Sequence, residues 1–175
     1  MSQLKVNSIV PVGGLPSGAS GGIIQVVQTV KTDTMSTSGT GGAYQDITGL
    51  SVTITPSSSS NKVLIVPSIL MAADSGHRHG YRILRGSTVI CVGDSASNRN
   101  PATSFQGNPP NNVMAFNHTN LFLDSPATTS ATTYKVQFRG ESNSSNLFIN
   151  RSQVDSDSDT HFRGTSQITA FEITV

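Results

Sequence analysis

His77-Arg78-His79 sets two imidazoles two residues apart, which on an extended strand puts both on one side and makes half of a metal site. A third ligand must come from a distant segment, and His118, His161 and Asp74 are the candidates. Beside Gly76 and Gly80 the plainer reading is a pair of exposed loop histidines; at a subunit seam they would form a pH-sensitive contact. Asp155-Ser156-Asp157-Ser158-Asp159 places carboxylates at positions 1, 3 and 5 of a calcium loop, but Thr160 stands where that loop needs glycine and Ser166 where it needs a bidentate glutamate. Asp155, Asp157 and Asp159 are therefore candidates only for a non-standard calcium site. The alternative is a set of solvated carboxylates near Arg151 and Arg163.

Gly18-Ala19-Ser20-Gly21-Gly22 matches the G-x-S-x-G pattern of a nucleophile elbow, yet that chemistry needs a strand-to-helix turn and a β run follows here. Cys91 is the one cysteine and lies in the apolar run Val89 to Val92, which reads as a small buried side chain without a neighbouring base. There is no paired-carboxylate motif and no phosphate-cradling glycine loop with lysine. An enzyme is not indicated, and no catalytic residue or cofactor is assigned.

The elements that must position these residues are strands. Tyr134, Val136 and Phe138 alternate with Lys135, Gln137 and Arg139 before Gly140, so one face meets a core and the other meets water. Leu121, Phe122 and Leu123 form an apolar run ending at Asp124-Ser125-Pro126. Lys62 to Met71 is the most apolar stretch, and Pro67 within it points to a bulge or an edge. Gly86-Ser87, between Tyr81–Arg85 and Thr88–Val92, reads as a tight hairpin with glycine at its first loop position. Gln167 to Val175 is a last strand in which Phe171, Ile173 and Val175 alternate with Glu172 and Thr174, which reads as a core strand. Gly93 to Asn112 and Arg151 to Gly164 are long polar loops, candidates for binding or packing surface. No segment has the helical apolar period with a cap before it.

About eight to ten short strands with regular turn signals predict an antiparallel sandwich or jelly roll. With 175 residues the expectation is one β domain, 23–175, preceded by an extended arm and glycine-rich linker, 1–22. Leu4, Val6, Ile9 and Val10 make that arm apolar. It either adds to a neighbouring chain or frays. Charged residues are 12% of the chain, about half the usual share, and the formal net charge is +1. Such a surface gives little self-repulsion and no electrostatic footprint for nucleic acid. No apolar run is long enough to span a membrane, and no secretory leader is read, so synthesis in a cytoplasm is expected.

Several stretches resemble small virion structural proteins of tailed phages, especially those infecting cyanobacteria and other marine bacteria. They are Leu4-Lys5-Val6-Asn7-Ser8-Ile9, Gly22-Ile23-Ile24-Gln25-Val26-Val27, Ile54-Thr55-Pro56, Leu84-Arg85-Gly86-Ser87, Leu123-Asp124-Ser125-Pro126-Ala127-Thr128-Thr129 and Ile149-Asn150-Arg151. The resemblance implies a homotrimeric jelly roll similar to tumour-necrosis-factor-like heads, located in the virion and without catalytic residues. It implies a bacteriophage tail fibre or tail-associated protein, anchored to other virion proteins through Leu4, Val6, Ile9 and Val10, with a host-surface glycan as a further partner. Capsid decoration is the alternative position. A carbohydrate-binding or carbohydrate-cleaving β domain is the reading from another class; it needs an aromatic platform or a carboxylate pair in a groove, and Tyr44, Tyr81 and Tyr134 are too few and too strand-like for the platform.

Overall fold

A computed structural model describes residues 22–37, 42–142 and 145–175, so the expected arm up to residue 21, with Leu4, Val6, Ile9 and Val10, and all but the last glycine of the Gly18–Gly22 motif lie outside the described residues. The described residues contain strands and no helix: β1 (Ile23–Lys31), β2 (Met35–Thr37), β3 (Gln45–Ile54), β4 (Lys62–Ala73), β5 (His79–Arg85), β6 (Thr88–Ile90), β7 (Ser104–Gln106), β8 (Phe116–Thr119), β9 (Phe122–Asp124), β10 (Thr132–Gly140), β11 (Leu147–Ile149) and β12 (Ser166–Ile173). All pair antiparallel, in a seven-stranded and a five-stranded sheet. Counting β8 and β9 as two halves of one strand and leaving out the short β2, β7 and β11, the sheets read β1-β12-β4-β9/β8 and β3-β10-β5-β6. Renumbered along the chain, that is 1-8-3-6 against 2-7-4-5, a jelly roll built from two Greek keys. The expected fold class is the observed one.

Alternation explains why these segments pair as they do. In β10, Tyr134, Val136 and Phe138 are buried while Lys135, Gln137 and Arg139 face outward. In β4, Val63, Ile65, Ile69 and Met71 point inward and meet Ile168 and Ala170 of β12 and Leu50, Val52 and Ile54 of β3 in one core. Burying side chains of this kind contributes roughly 1.5–3 kcal/mol each. Gly86 has φ +58° and joins β5 to β6 as the sequence predicts, with Arg85 opposite Thr88.

Some expectations are corrected. Phe171, Ile173 and Val175 do not face the core: Ile168, Ala170 and Glu172 do, while Phe171 and Ile173 are half-buried and Val175 is exposed. The period was legible but not its phase. A buried glutamate is tolerated because Glu172 accepts bonds from the Ser57 amide (2.6 Å), Ser57 Oγ (2.8 Å) and Asn61 Nδ2 (2.6 Å), so its charge is solvated by the serine loop. Pro67 is not at an edge, since β4 is central. It lies opposite the interruption between β9, which reaches Ile65, and β8, which begins at Ser68, and there a missing amide donor removes no ladder bond. Short strands β2 and β7 also appear where loop was expected; each is paired on one edge only, β2 to β11 and β7 to β5.

Candidate functional site

The inverted phase of β12 puts apolar side chains on the outside of the seven-stranded sheet. Val26 pairs with Phe171, Phe171 with Leu64 and Leu64 with Leu123, giving an unbroken apolar row across β1, β12, β4 and β9. Paired residues in a sheet share a face. Val26 is 56% exposed and Leu123 52%, with Ile24 and Leu121 also exposed beside them. Lys62, whose Nζ donates to Ser125 Oγ at 2.7 Å, is the only charged residue among the outward positions of β4 and β12. Toward the other end the face becomes polar through Gln28, Gln167, Ser68 and Thr119. There Gln28 Nε2 donates to Thr169 Oγ1 at 2.9 Å, and Thr119 Oγ1 donates to Ser68 Oγ at 3.2 Å. Contiguous apolar surface rimmed by polar groups marks an interaction site. Sequence reasoning missed it because each strand, read alone, gives its larger apolar residues to the core.

The histidine motif is split by the fold. His77 is half-exposed with Nδ1 3.1 Å from Glu141 Oε1, whereas His79 is buried, contrary to the exposed-loop reading, because β5 starts there and turns the ring inward. Of the proposed third ligands, only His118 reaches His79. Asp74 instead accepts from the Asn146 amide at 2.8 Å, and His161 lies near Ser156. Burial, aided by His118, holds His79 down to about 4. Among the described residues no group of three His, Cys, Asp or Glu side chains converges on a metal position.

Asp155 is gripped by Arg163 through Nε (2.9 Å) and Nη2 (2.7 Å) and approached by Arg151 at 3.8 Å, which is the pairing expected as the alternative to calcium. The bond from Arg163 lowers the Asp155 carboxyl against the opposing effect of burial, and the charges of Arg163 and Arg151 act in the same sense as the bond. Asp157 and Asp159 stay exposed in the same loop and do not join it. Cys91 is half-buried against the core at φ +54°, and burial pushes its thiol up, away from a nucleophilic state. Tyr81 and Tyr134 are buried, their hydroxyls donating to Asn120 Oδ1 (2.7 Å) and Asp124 Oδ2 (2.6 Å), so neither offers a ring to a ligand.

No family model and no curated protein matches the sequence. Among solved structures, a chain from the structure of infectious bursal disease virus Gx strain is similar over 98% of this chain and 42% of that chain, with 12% identity and a TM-score of 0.43. This chain thus spans less than half the length of that one. A likeness at this level does not assign the chain to a family. The antiparallel jelly roll rests on its own strand order.

Proposed function

We propose that the protein is a non-enzymatic virion structural component, a homotrimer whose jelly-roll head associates through the apolar outer face of the seven-stranded sheet. The observation that carries the reading is the row Val26, Phe171, Leu64, Leu123. Its occupant is the neighbouring copy of this chain around the three-fold axis. The face holds almost no charge, so two copies meet there without desolvating ions, and a net charge of +1 adds little repulsion between them. The resemblance of several stretches to tailed-phage virion proteins supports the location. Among the described residues no helix is long and apolar enough to cross a membrane.

In this reading residues 1–22 anchor the head to the particle as part of a fibre or tail-associated assembly. Measurement of mass in solution tests the interface: the full chain is a trimer at micromolar concentration, and Leu123→Glu or Val26→Glu yields a folded monomer. A wild-type monomer throughout that range refutes the interface, and a dimer refutes the three-fold arrangement. Particle assembly with a chain lacking residues 1–22 tests the anchor, and normal occupancy of the truncated chain refutes that role.

A further inference from the structure

The five-stranded sheet carries an outward row of its own. Arg139 of β10, Gly80 of β5 and Phe105 of β7 are register partners and so lie in one outward row. Gly80 has no side chain to fill the space between a guanidinium and a phenyl ring. A Cβ there would come within 3.0 Å of the Ser104 carbonyl oxygen and 3.2 Å of Phe105 Cβ. The result is a groove of about 550 Å³, walled on one side by the 91–103 loop and on the other by Arg78 and Glu141.

The loop is not loosely placed. Its far end is tied to the sheet by the Thr103 amide donating to Tyr81 O (2.8 Å), and its two ends are tied to each other by Thr103 Oγ1 donating to Cys91 O (2.7 Å). Tyr44 Oη donates to Pro101 O at 2.7 Å, and Arg139 Nη1 donates to Asn100 Oδ1 at 2.6 Å. Arg82 stacks 4.0 Å over the Tyr44 ring, with Arg139 at 5.8 Å. Burial pushes the Tyr44 phenol up despite both cations, so it stays neutral.

The chemistry of the lining is specific. Arg78 is paired with Glu141 at 3.3 Å, but neither Arg99 nor Arg139 has an acidic partner among the described residues. Arg99 makes only a 3.4 Å contact with the Ala96 carbonyl, and Arg139 Nε is buried without a hydrogen-bond partner. Phe105 is 73% exposed on the same row. Uncompensated guanidinium groups beside an exposed aromatic ring suit a ligand with an anionic group and an apolar ring face. Asn100 and Glu141 add hydrogen-bonding groups for hydroxyls. The carboxylate of Glu141 and the low net charge disfavour a nucleic-acid backbone.

We infer that this groove binds an anionic saccharide unit, with the acidic group on Arg99 and Arg139 and the sugar ring over Phe105. The site's outward position rests on the proposed trimer, which uses the opposite sheet, but binding itself does not. Calorimetric titration of the full chain tests it with oligogalacturonate, its methyl ester, a sialylated oligosaccharide, a sulfated carrageenan oligosaccharide, a neutral cello-oligosaccharide and a single-stranded oligonucleotide. At least one acidic sugar binds, and the uronate and sulfate arms distinguish which anionic group is read. Arg99→Ala and Phe105→Ala each weaken that binding by about tenfold or more, without changing unfolding midpoint or mass. Binding of no acidic sugar, equal affinity for the neutral sugar, tighter binding of the oligonucleotide, or indifference to both substitutions overturns the inference. A monomeric mass with intact sugar binding would sink only the trimer.

Discussion

His79 and His118 meet edge to face inside the protein, ring centroids 5.6 Å apart and planes at 72°. Both nitrogens of His79 and Nε2 of His118 lack hydrogen-bond partners, while Ser104 Oγ lies 3.2 Å from His118 Nδ1. Their other ring neighbours are Phe116 and Tyr81. A pair of imidazoles so placed is stable only while neutral, because a proton on either would be buried beside the other ring.

The pH dependence follows from that. Unfolded, His79 titrates near 6.5; folded, it is held down to about 4. Below the higher value the unfolded chain takes up a proton that the folded chain refuses. Stability present above pH 6.5 therefore falls as the pH drops toward 4, by about 3 kcal/mol from His79. Burial lowers His118 as well and adds in the same sense. Urea unfolding of wild type and His79→Phe at pH 7.5 and 4.5 checks this by difference, which removes the common contribution of carboxylates. Parallel losses in both proteins would exclude His79 as the cause.

Asp124 joins the sheets from the inside. Arg85 Nη1 donates to both its oxygens at 2.8 Å and Tyr134 Oη donates to Oδ2 at 2.6 Å. Burial and then that bond push the Tyr134 phenol up, so it stays a donor. Tyr134→Phe is expected to cost about 1–3 kcal/mol. Asp124→Ala, which strands both partners, costs more, about 3 kcal/mol or above. Urea midpoints measure both, and an Asp124→Ala protein as stable as Tyr134→Phe would deny the centre its role.

The phase of β12 has its own test. Ile168→Ala opens a cavity in the core and costs about 2–5 kcal/mol. Phe171→Ala, measured in the monomeric Leu123→Glu background, costs well under half of that and in the otherwise wild-type chain weakens self-association instead. The opposite ranking would mean that Phe171 faces the core.

Gly80→Val places a branched side chain against the Ser104 carbonyl and Phe105 Cβ. It is expected to detach β7 at a cost of about 1–3 kcal/mol. Hydrogen exchange should quicken at Ser104–Gln106 while the β1–β12 ladder keeps its protection. Unchanged exchange at β7 would show that the close approach is not needed.

Local chemistry was enough to read much of this protein. Alternation in Tyr134–Arg139, glycine at Gly86 and the absence of a helical period give an antiparallel β domain, because side-chain period and turn geometry are properties of neighbouring residues. The pairing of Asp155 with Arg151 and Arg163 was legible for the same reason, all three lying in one loop. Other features depended on segments far apart in the chain. Glu172 could turn inward because Ser57 and Asn61, more than 100 residues away, supply its donors, and that choice sends Phe171 out to the apolar face. His79 found His118, Pro67 found a gap between partners, and Gly80 came to lie between Arg139 and Phe105 only once the sheets had formed. Sequence sets the period of each strand. Which phase is buried is set by the donors, rings and breaks that the neighbouring strands present.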